Sequence, residues 1–320
     1  MSELHKFIFE GGFVRGMLVR LTDDWCEVLR RREPLAPLAP EVRRLLGEMA
    51  AAGVLLQASI RFAGALVLQL QGDGPVRLAV AEVQSDLAFR VTASVTGDLQ
   101  PGADLQALVN AHGQGRCAIT LDPQARAPGQ RPYQGIVPLR GAPGDPPARL
   151  SEVLGHYMRQ SEQLDTLFVL AADDQVAAGL LVQRLPADGP GSAGPRRDKV
   201  TGEAAPEDDY LRIATLAATL SDRELLGLPP EQVLRRLFWE ERLRRLEQLT
   251  PRFACRCSRE RVMGMLQSLG RTECDSVVAE RGEVEVGCEF CGQQYRFDAV
   301  DVATLFTAER ELPPSSRQVQ

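Results

Sequence analysis

Between residues 64 and 83 apolar residues recur at every second position. Leu66, Leu68 and Leu70 form one run, Val76, Leu78 and Val80 a second, and Gly-Asp-Gly-Pro joins them. This period of two across a tight turn predicts a β-hairpin. "FIFEGGFVRGMLVR" (7–20) predicts two short strands around Gly-Gly. "RCAITLD" (116–122) and "YQGIVPL" (133–139) predict further strands, and 165–185 a strand–turn–strand unit. Other segments carry the helical period. "LTDDWCEVLRRR" (21–32) predicts a short helix with Thr22 as N-cap and Asp23 and Asp24 favouring the dipole of its first turn. A longer helix enters at Pro40 and buries one face through Val42, Leu45, Met49, Val54 and Leu55. Ser151 is the expected cap of a helix over 152–164. Strands and helices do not alternate regularly, so residues 1–185 are read as an α+β domain built on antiparallel sheet.

The pattern changes at Pro186. Residues 186–209 are rich in Gly, Pro and charge and poor in large apolar residues, which predicts a flexible connection. Helical sequence resumes near 210. Ser221 and Glu224 form a capping box, and Pro230 opens a predicted helix running to 249. That helix places Val233, Leu234, Leu237, Phe238 and Leu246 toward one face, with i,i+4 pairs Glu231–Arg235, Glu240–Arg244 and Glu241–Arg245 on the other. Residues 186–250 are thus a flexible, partly helical linker. From 251 to 312 the pattern predicts a small domain: a helix capped by Ser258 and ending at Gly270, a brief helix over 272–282, and two strands around Cys-x-x-Cys-Gly. Residues 313–320 form a tail. A unit this small, with so few large apolar residues, needs a staple.

The chain has 320 residues, 44% of them hydrophobic, enough for a sizeable core in more than one domain. Its net charge of −6 weighs against nucleic acid as a partner. Only Lys6 and Lys199 are lysines, a bias toward arginine without functional meaning of its own. The N-terminus lacks a basic start followed by a long apolar run, and no apolar stretch reaches about 18 residues. The expected location is therefore cytoplasmic, with no membrane partner. Cytosolic thiols stay reduced, which favours metal binding or redox chemistry over structural disulfides.

Five of the seven cysteines lie within 255–291. Cys255 and Cys257 stand in "CRCSRERV", and Cys288 and Cys291 in "CEFCG". Two close pairs separated by a folded spacer are the layout of a structural zinc site. Gly292 tolerates the positive φ that a Cys-x-x-Cys turn demands. His5, His112 and His156 all lie in the first domain, so the expected site is all-sulfur, with one Zn2+ per chain and no open position for catalysis. Cys117 and Cys26 are expected in the core, and Cys274 buried and unliganded. Zinc holds sulfurs as thiolates, the oxidisable form. Each pair is close enough in sequence to close on itself, so the spacing admits an oxidation switch as well as a static structural module.

These segments, together with "FEGGFVRGMLVRL", "LQLQGDGPVRLAVAE", "YMRQSEQL", "GLLVQRLP", "LRRLFWEE" and "CEFCGQQYRFD", occur in the order found in the heat-shock protein 33 family, which the chain resembles over nearly its whole length. The resemblance implies a redox-regulated, ATP-independent holdase of the cytoplasmic stress response, not an enzyme. In such proteins the reduced, zinc-bound form is inactive. Oxidants release zinc, the zinc domain and linker unfold, the protein tends to form a homodimer, and unfolding client proteins are bound before they aggregate. By position, the zinc ligands would be Cys255, Cys257, Cys288 and Cys291, and the redox disulfides Cys255–Cys257 and Cys288–Cys291. Two departures stand out: Arg256 lies where the family commonly has a small or acidic residue, and the 186–209 stretch is longer than a lean family linker.

Rival readings fare worse. Residues 252–298 hold seven arginines and eight acidic residues, which is no basic patch for a nucleic-acid-binding zinc ribbon. A thiol oxidoreductase would place Cys-x-x-Cys at a helix start after a strand. "QGDGP" lacks the helix and the Gly-Lys-Ser/Thr ending of a phosphate loop. A constitutive binding protein with a purely structural zinc module is the remaining alternative.

Overall fold

The computed structural model describes residues 1–11, 13–34, 37–125, 132–139, 149–186 and 207–307. Most of the Gly/Pro-rich stretch 186–209, and all of the 313–320 tail, lie outside the described residues. The elements in chain order are β1 (Glu3–Phe9), β2 (Val14–Leu21), α1 (Asp23–Arg32), α2 (Pro40–Ser59), β3 (Gly64–Gln71), β4 (Val76–Gln84), β5 (Ala88–Val95), α3 (Leu105–Val109), β6 (Arg116–Pro123), β7 (Tyr133–Pro138), α4 (Leu150–Ser161), β8 (Thr166–Ala172) and β9 (Ala177–Arg184). They continue with α5 (Glu207–Ala218), α6 (Asp222–Gly227), α7 (Pro230–Leu237), β10 (Leu243–Leu249), β11 (Arg252–Phe253), α8 (Arg259–Leu269), α9 (Arg271–Arg281), β12 (Val284–Gly287), β13 (Gln294–Phe297) and α10 (Ala299–Thr307). The chain forms two compact units, Met1–Ala254 and Cys255–Gln320.

The first unit is α+β and contains two sheets. One has the order β10-β1-β2-β9-β8 and is antiparallel throughout. The other has the order β11-β5-β4-β3-β6-β7, antiparallel except for the short parallel contact of β11 with β5. The predicted 64–83 hairpin is β3–β4, in register from Ala65↔Gln84 to Gln71↔Leu78. Helix α2 packs against strands of both sheets. The sequence predicts one buried face for it. Thirteen of its twenty residues are buried instead, because "MAAAGVLLQ" has almost no polar side to turn outward.

Gly47 of α2 packs closely against the sheet: a Cβ there would lie 2.4 Å from that of Ala172. Helix propensity favours Ala over Gly by up to about 1 kcal/mol, but overpacking costs about 1–3 kcal/mol. Gly47→Ala is therefore expected to lower the thermal midpoint, and an unchanged or raised midpoint would contradict this packing.

The five-stranded sheet is buried on both faces. Leu4, Met17, Val19 and Leu181 belong to the cluster around α2. Phe7, Phe9, Leu18, Leu180 and Val182 belong to a second cluster, closed by Ile213 and Ala217 of α5, Leu225 of α6, Val233 and Leu234 of α7, and Phe238. Phe238 meets Phe9 edge-on at 4.9 Å. Two polar ties hold this cover: Arg20 donates to the carbonyls of Leu225 and Leu226 at the end of α6, and Arg149 pairs with Asp222 at its start.

The helix predicted over 230–249 ends at Leu237, and residues 243–249 are strand β10, paired with β1. Leu243, Leu246 and Leu249 recur every third residue and read as helical, but the open edge of β1 requires a strand. The predicted i,i+4 pairs give way to others: Glu231 meets Arg245, and Glu241 meets Arg212. The Ser221–Glu224 capping box forms as predicted. Thr22 holds the N-cap position of α1 without a side-chain cap bond, and α4 starts two residues earlier than predicted, with Arg149 rather than Ser151 at its N-cap.

Glu48 of α2 lines a cavity of about 290 Å3 with Glu41, Arg44, Asp104, Arg149 and Asp222. Burial pushes its carboxyl up to about 7, against the pull of Arg44 and Arg149. The folded pKa exceeds the unfolded one, so the stability contributed by its protonated form is full at low pH and is lost as pH rises through 7. Glu48→Gln is expected to raise stability at pH 8 by about 2 kcal/mol, allowing for the opening to the cavity, and to change it little at pH 5. Denaturant titrations at the two pH values check this.

Candidate metal centre

The second unit has a small core: Leu266, Cys274, Val284, Phe297, Val302, Leu305 and Phe306. Arg259 stacks on Phe297 at 4.2 Å and bonds Asp301 and the Arg296 carbonyl. Helix α10, which the sequence pattern did not predict, supplies three of the core residues and is capped by Asp298, which accepts from the Asp301 amide.

Both cysteine pairs sit where local chemistry fixes the backbone. Cys255 and Cys257 lie in the extended stretch before α8, whose N-cap Ser258 accepts from the Arg261 amide. Cys288 and Cys291 occupy the turn between β12 and β13. The Cys288 amide donates to Gln293, the Cys291 and Gly292 amides donate back to Cys288, and Gly292 takes a φ of 74°. The four Sγ atoms lie within 4.8 Å of one another. Two near contacts cross between the pairs: Cys255 to Cys288 at 3.6 Å and Cys257 to Cys291 at 3.4 Å.

A metal with sulfur bonds of about 2.3 Å in tetrahedral geometry needs sulfur–sulfur edges of about 3.8 Å. The cluster approaches that spacing, and its donors are all soft, so the residues fit zinc. Their acidities fit as well. Burial opposes ionisation of Cys255, but hydrogen bonds from the Cys257 amide and from the neighbouring thiols outweigh it and bring the group to about 7. Burial pushes Cys288 and Cys291 up, and the nearby Cys255 adds to the rise. The cluster therefore takes one negative charge readily and resists more, and a divalent cation relieves that resistance.

Tyr295 of β13 is a residue that sequence reasoning missed. Its hydroxyl is hydrogen-bonded to the Cys257 side chain, which together with burial holds the phenol up. Such outer contacts orient metal ligands. Arg256, between the first pair, is exposed.

The other cysteines stand apart. Cys274 is buried in the small core with its thiol toward the Leu266 carbonyl, and Cys117 is buried in the first unit, where burial pushes it up to about 12. Cys26, expected in the core, is only half-buried. Its neighbour Trp25 turns inward instead, and the Cys26 thiol points to the Gln175 carbonyl.

Comparison with known proteins agrees over nearly the whole chain. A family model described as Hsp33 protein matches residues 2–298. The 33 kDa chaperonin of Chromobacterium violaceum is 43% identical over 95% of this chain and 94% of its own length. That of Methylobacillus flagellatus is 41% identical over 98% and 97%. In fold, the chain is similar to the crystal structure of the 33 kDa chaperonin from Thermotoga maritima, with a TM-score of 0.74 and 22% identity over 97% of this chain and 99% of that one.

Proposed function

The chain belongs to the Hsp33 family, a family of chaperones, and from that premise we propose that it is a redox-regulated holdase that works without ATP. Cys255, Cys257, Cys288 and Cys291 would hold one zinc ion in the reduced protein. Bound there, zinc keeps the four sulfurs as thiolates and joins the two half-sites of a unit with a small core of its own.

Oxidation removes that join. In each pair two thiolates give up two electrons and form one disulfide. With peroxide as oxidant, two protons are taken up and two waters leave per disulfide. The pairs that close are Cys255–Cys257 and Cys288–Cys291, and no thiolate then remains to hold the metal. The second unit loses its staple and unfolds. The segment α5–α7 and β10, which precedes it in the chain, then leaves the five-stranded sheet.

The observation that carries this reading is the second apolar cluster. Phe7, Phe9, Leu18, Leu180 and Val182 lie under a cover made from that same segment. Once bare, such a face binds the apolar surface of unfolding proteins. The oxidised protein would form a homodimer. No helix of the described residues is long and apolar enough to cross a membrane, and the working location would be the cytoplasm. Nucleic acid has no part in this account.

Light scattering from a thermally unfolding client separates the possibilities. Suppression by the peroxide-treated protein alone, reversed by a thiol reductant, is the expected result. Equal suppression by both forms would make this a constitutive binding protein with a structural zinc. No suppression by either would remove the holdase reading.

A further inference from the structure

The strand that closes the five-stranded sheet comes from the releasable segment. β10 pairs with β1 from Leu4↔Leu249 to Phe9↔Leu243, and the ladder continues in the bond from the Glu10 amide to the Arg242 carbonyl. Its side chains add little: the five residues from Arg244 to Gln248 are exposed, and only Leu243 and Leu249 are half-buried. Its links to β1 are Lys6 with Glu247 at 3.2 Å and Gln248 with Glu3 at 3.3 Å. Contacts this exposed contribute little, so β10 is held chiefly by its backbone ladder and by the helices that precede it.

β1 is anchored differently. It pairs with β2 from Glu3↔Arg20 to Ile8↔Arg15 and buries Leu4 on one face and Phe7 and Phe9 on the other. Departure of β10 therefore leaves β1 in place as a rigid edge with a row of unpaired backbone groups. Only Glu3, His5 and Lys6 in "ELHKFIF" offer polar protection for such an edge, and the stretch from Phe7 to Phe9 offers none. β10 is also a poor cross-strand partner, because Arg245 stands opposite Phe7 and Arg244 opposite Ile8. A strand with aromatic or β-branched residues at those positions would pack better.

We propose that the edge of β1, uncovered when β10 departs, captures clients by strand addition: an extended, apolar, β-forming segment of an unfolding protein takes the place of β10. The proposal rests on the holdase reading above and specifies how that surface recognises its partner. Backbone bonding makes the capture tolerant of sequence, and Phe7 and Phe9 bias it toward apolar segments.

Amide hydrogen exchange over residues 3–9 tests it, using reduced, carboxymethylated α-lactalbumin as a permanently unfolded client. Protection should be high in the reduced protein, fall at least about tenfold on oxidation, and return when client is added. Client that is bound, by co-elution, while residues 3–9 stay open would overturn strand addition and leave the holdase reading standing. Protection that survives oxidation before client is added would also overturn it, because β10 of the same or a second chain would still hold the edge. No co-elution at all would overturn the holdase reading, and strand addition with it.

Discussion

Phe238→Ala is expected to make the reduced, zinc-loaded protein bind clients without any oxidant. Phe238 follows α7 and is 2% exposed, with its ring edge-on to Phe9 and tilted against Phe7 at 6.3 Å. It is the largest buried side chain that the segment 207–249 contributes to the apolar cluster on the sheet. Truncating a buried phenylalanine costs about 3–5 kcal/mol. That cost falls on the docked state, because the cavity vanishes once the segment leaves. At about 1.4 kcal/mol per factor of ten, the docked-to-released ratio falls by a hundredfold or more. Scattering suppression by the reduced variant, with its zinc content unchanged, is the measurement. A reduced variant that keeps its zinc, shows rapid exchange over 207–249 and still captures nothing would contradict the idea that this cluster is the client surface.

Cys291→Ser should have the largest effect on the second unit. Cys291 is the most buried of the four cysteines, 6% exposed as a residue, and its sulfur lies within contact distance of that of Cys257. A hydroxyl is a poor ligand for zinc, and metal binding supplies roughly 10 kcal/mol or more to small sites of this type. The seven-residue core of the unit cannot replace that. The variant is expected to lose its zinc and the amide dispersion of residues 255–307, while the sheets of the first unit persist. It should also bind clients without oxidant. A folded, protease-resistant second unit in the zinc-free variant would show that its core suffices alone.

What the sequence disclosed depended on how local the cause was. The β3–β4 hairpin was legible because a period of two on both sides of Gly-Asp-Gly-Pro has one physical reading. The sulfur site was legible because two close cysteine pairs, a following glycine and a unit with little core of its own point to the same staple. Strand β10 was not, since its leucines carry a helical spacing and only the distant edge of β1 makes a strand preferable. The burial of α2 on both faces likewise required knowing that two sheets would flank it. Within the site, spacing indicated the four cysteines but not the cross-pair contacts of Cys255 with Cys288 and Cys257 with Cys291, nor the hydrogen bond of Tyr295 to Cys257. Those depend on how the β12–β13 turn meets the stretch before α8. Helix α10 carries a short local signal of its own: Asp298 as cap, followed by apolar residues at 302, 305 and 306.

The most direct test of the account is a peroxide titration of the zinc-loaded protein that follows two signals in one sample, zinc captured by a chromogenic chelator and binding of an unfolded client. The account requires one zinc per chain, released in step with the loss of four thiols, with client binding rising along the same curve. Client binding that develops while the zinc stays bound, or complete zinc release that leaves client binding absent, would contradict it.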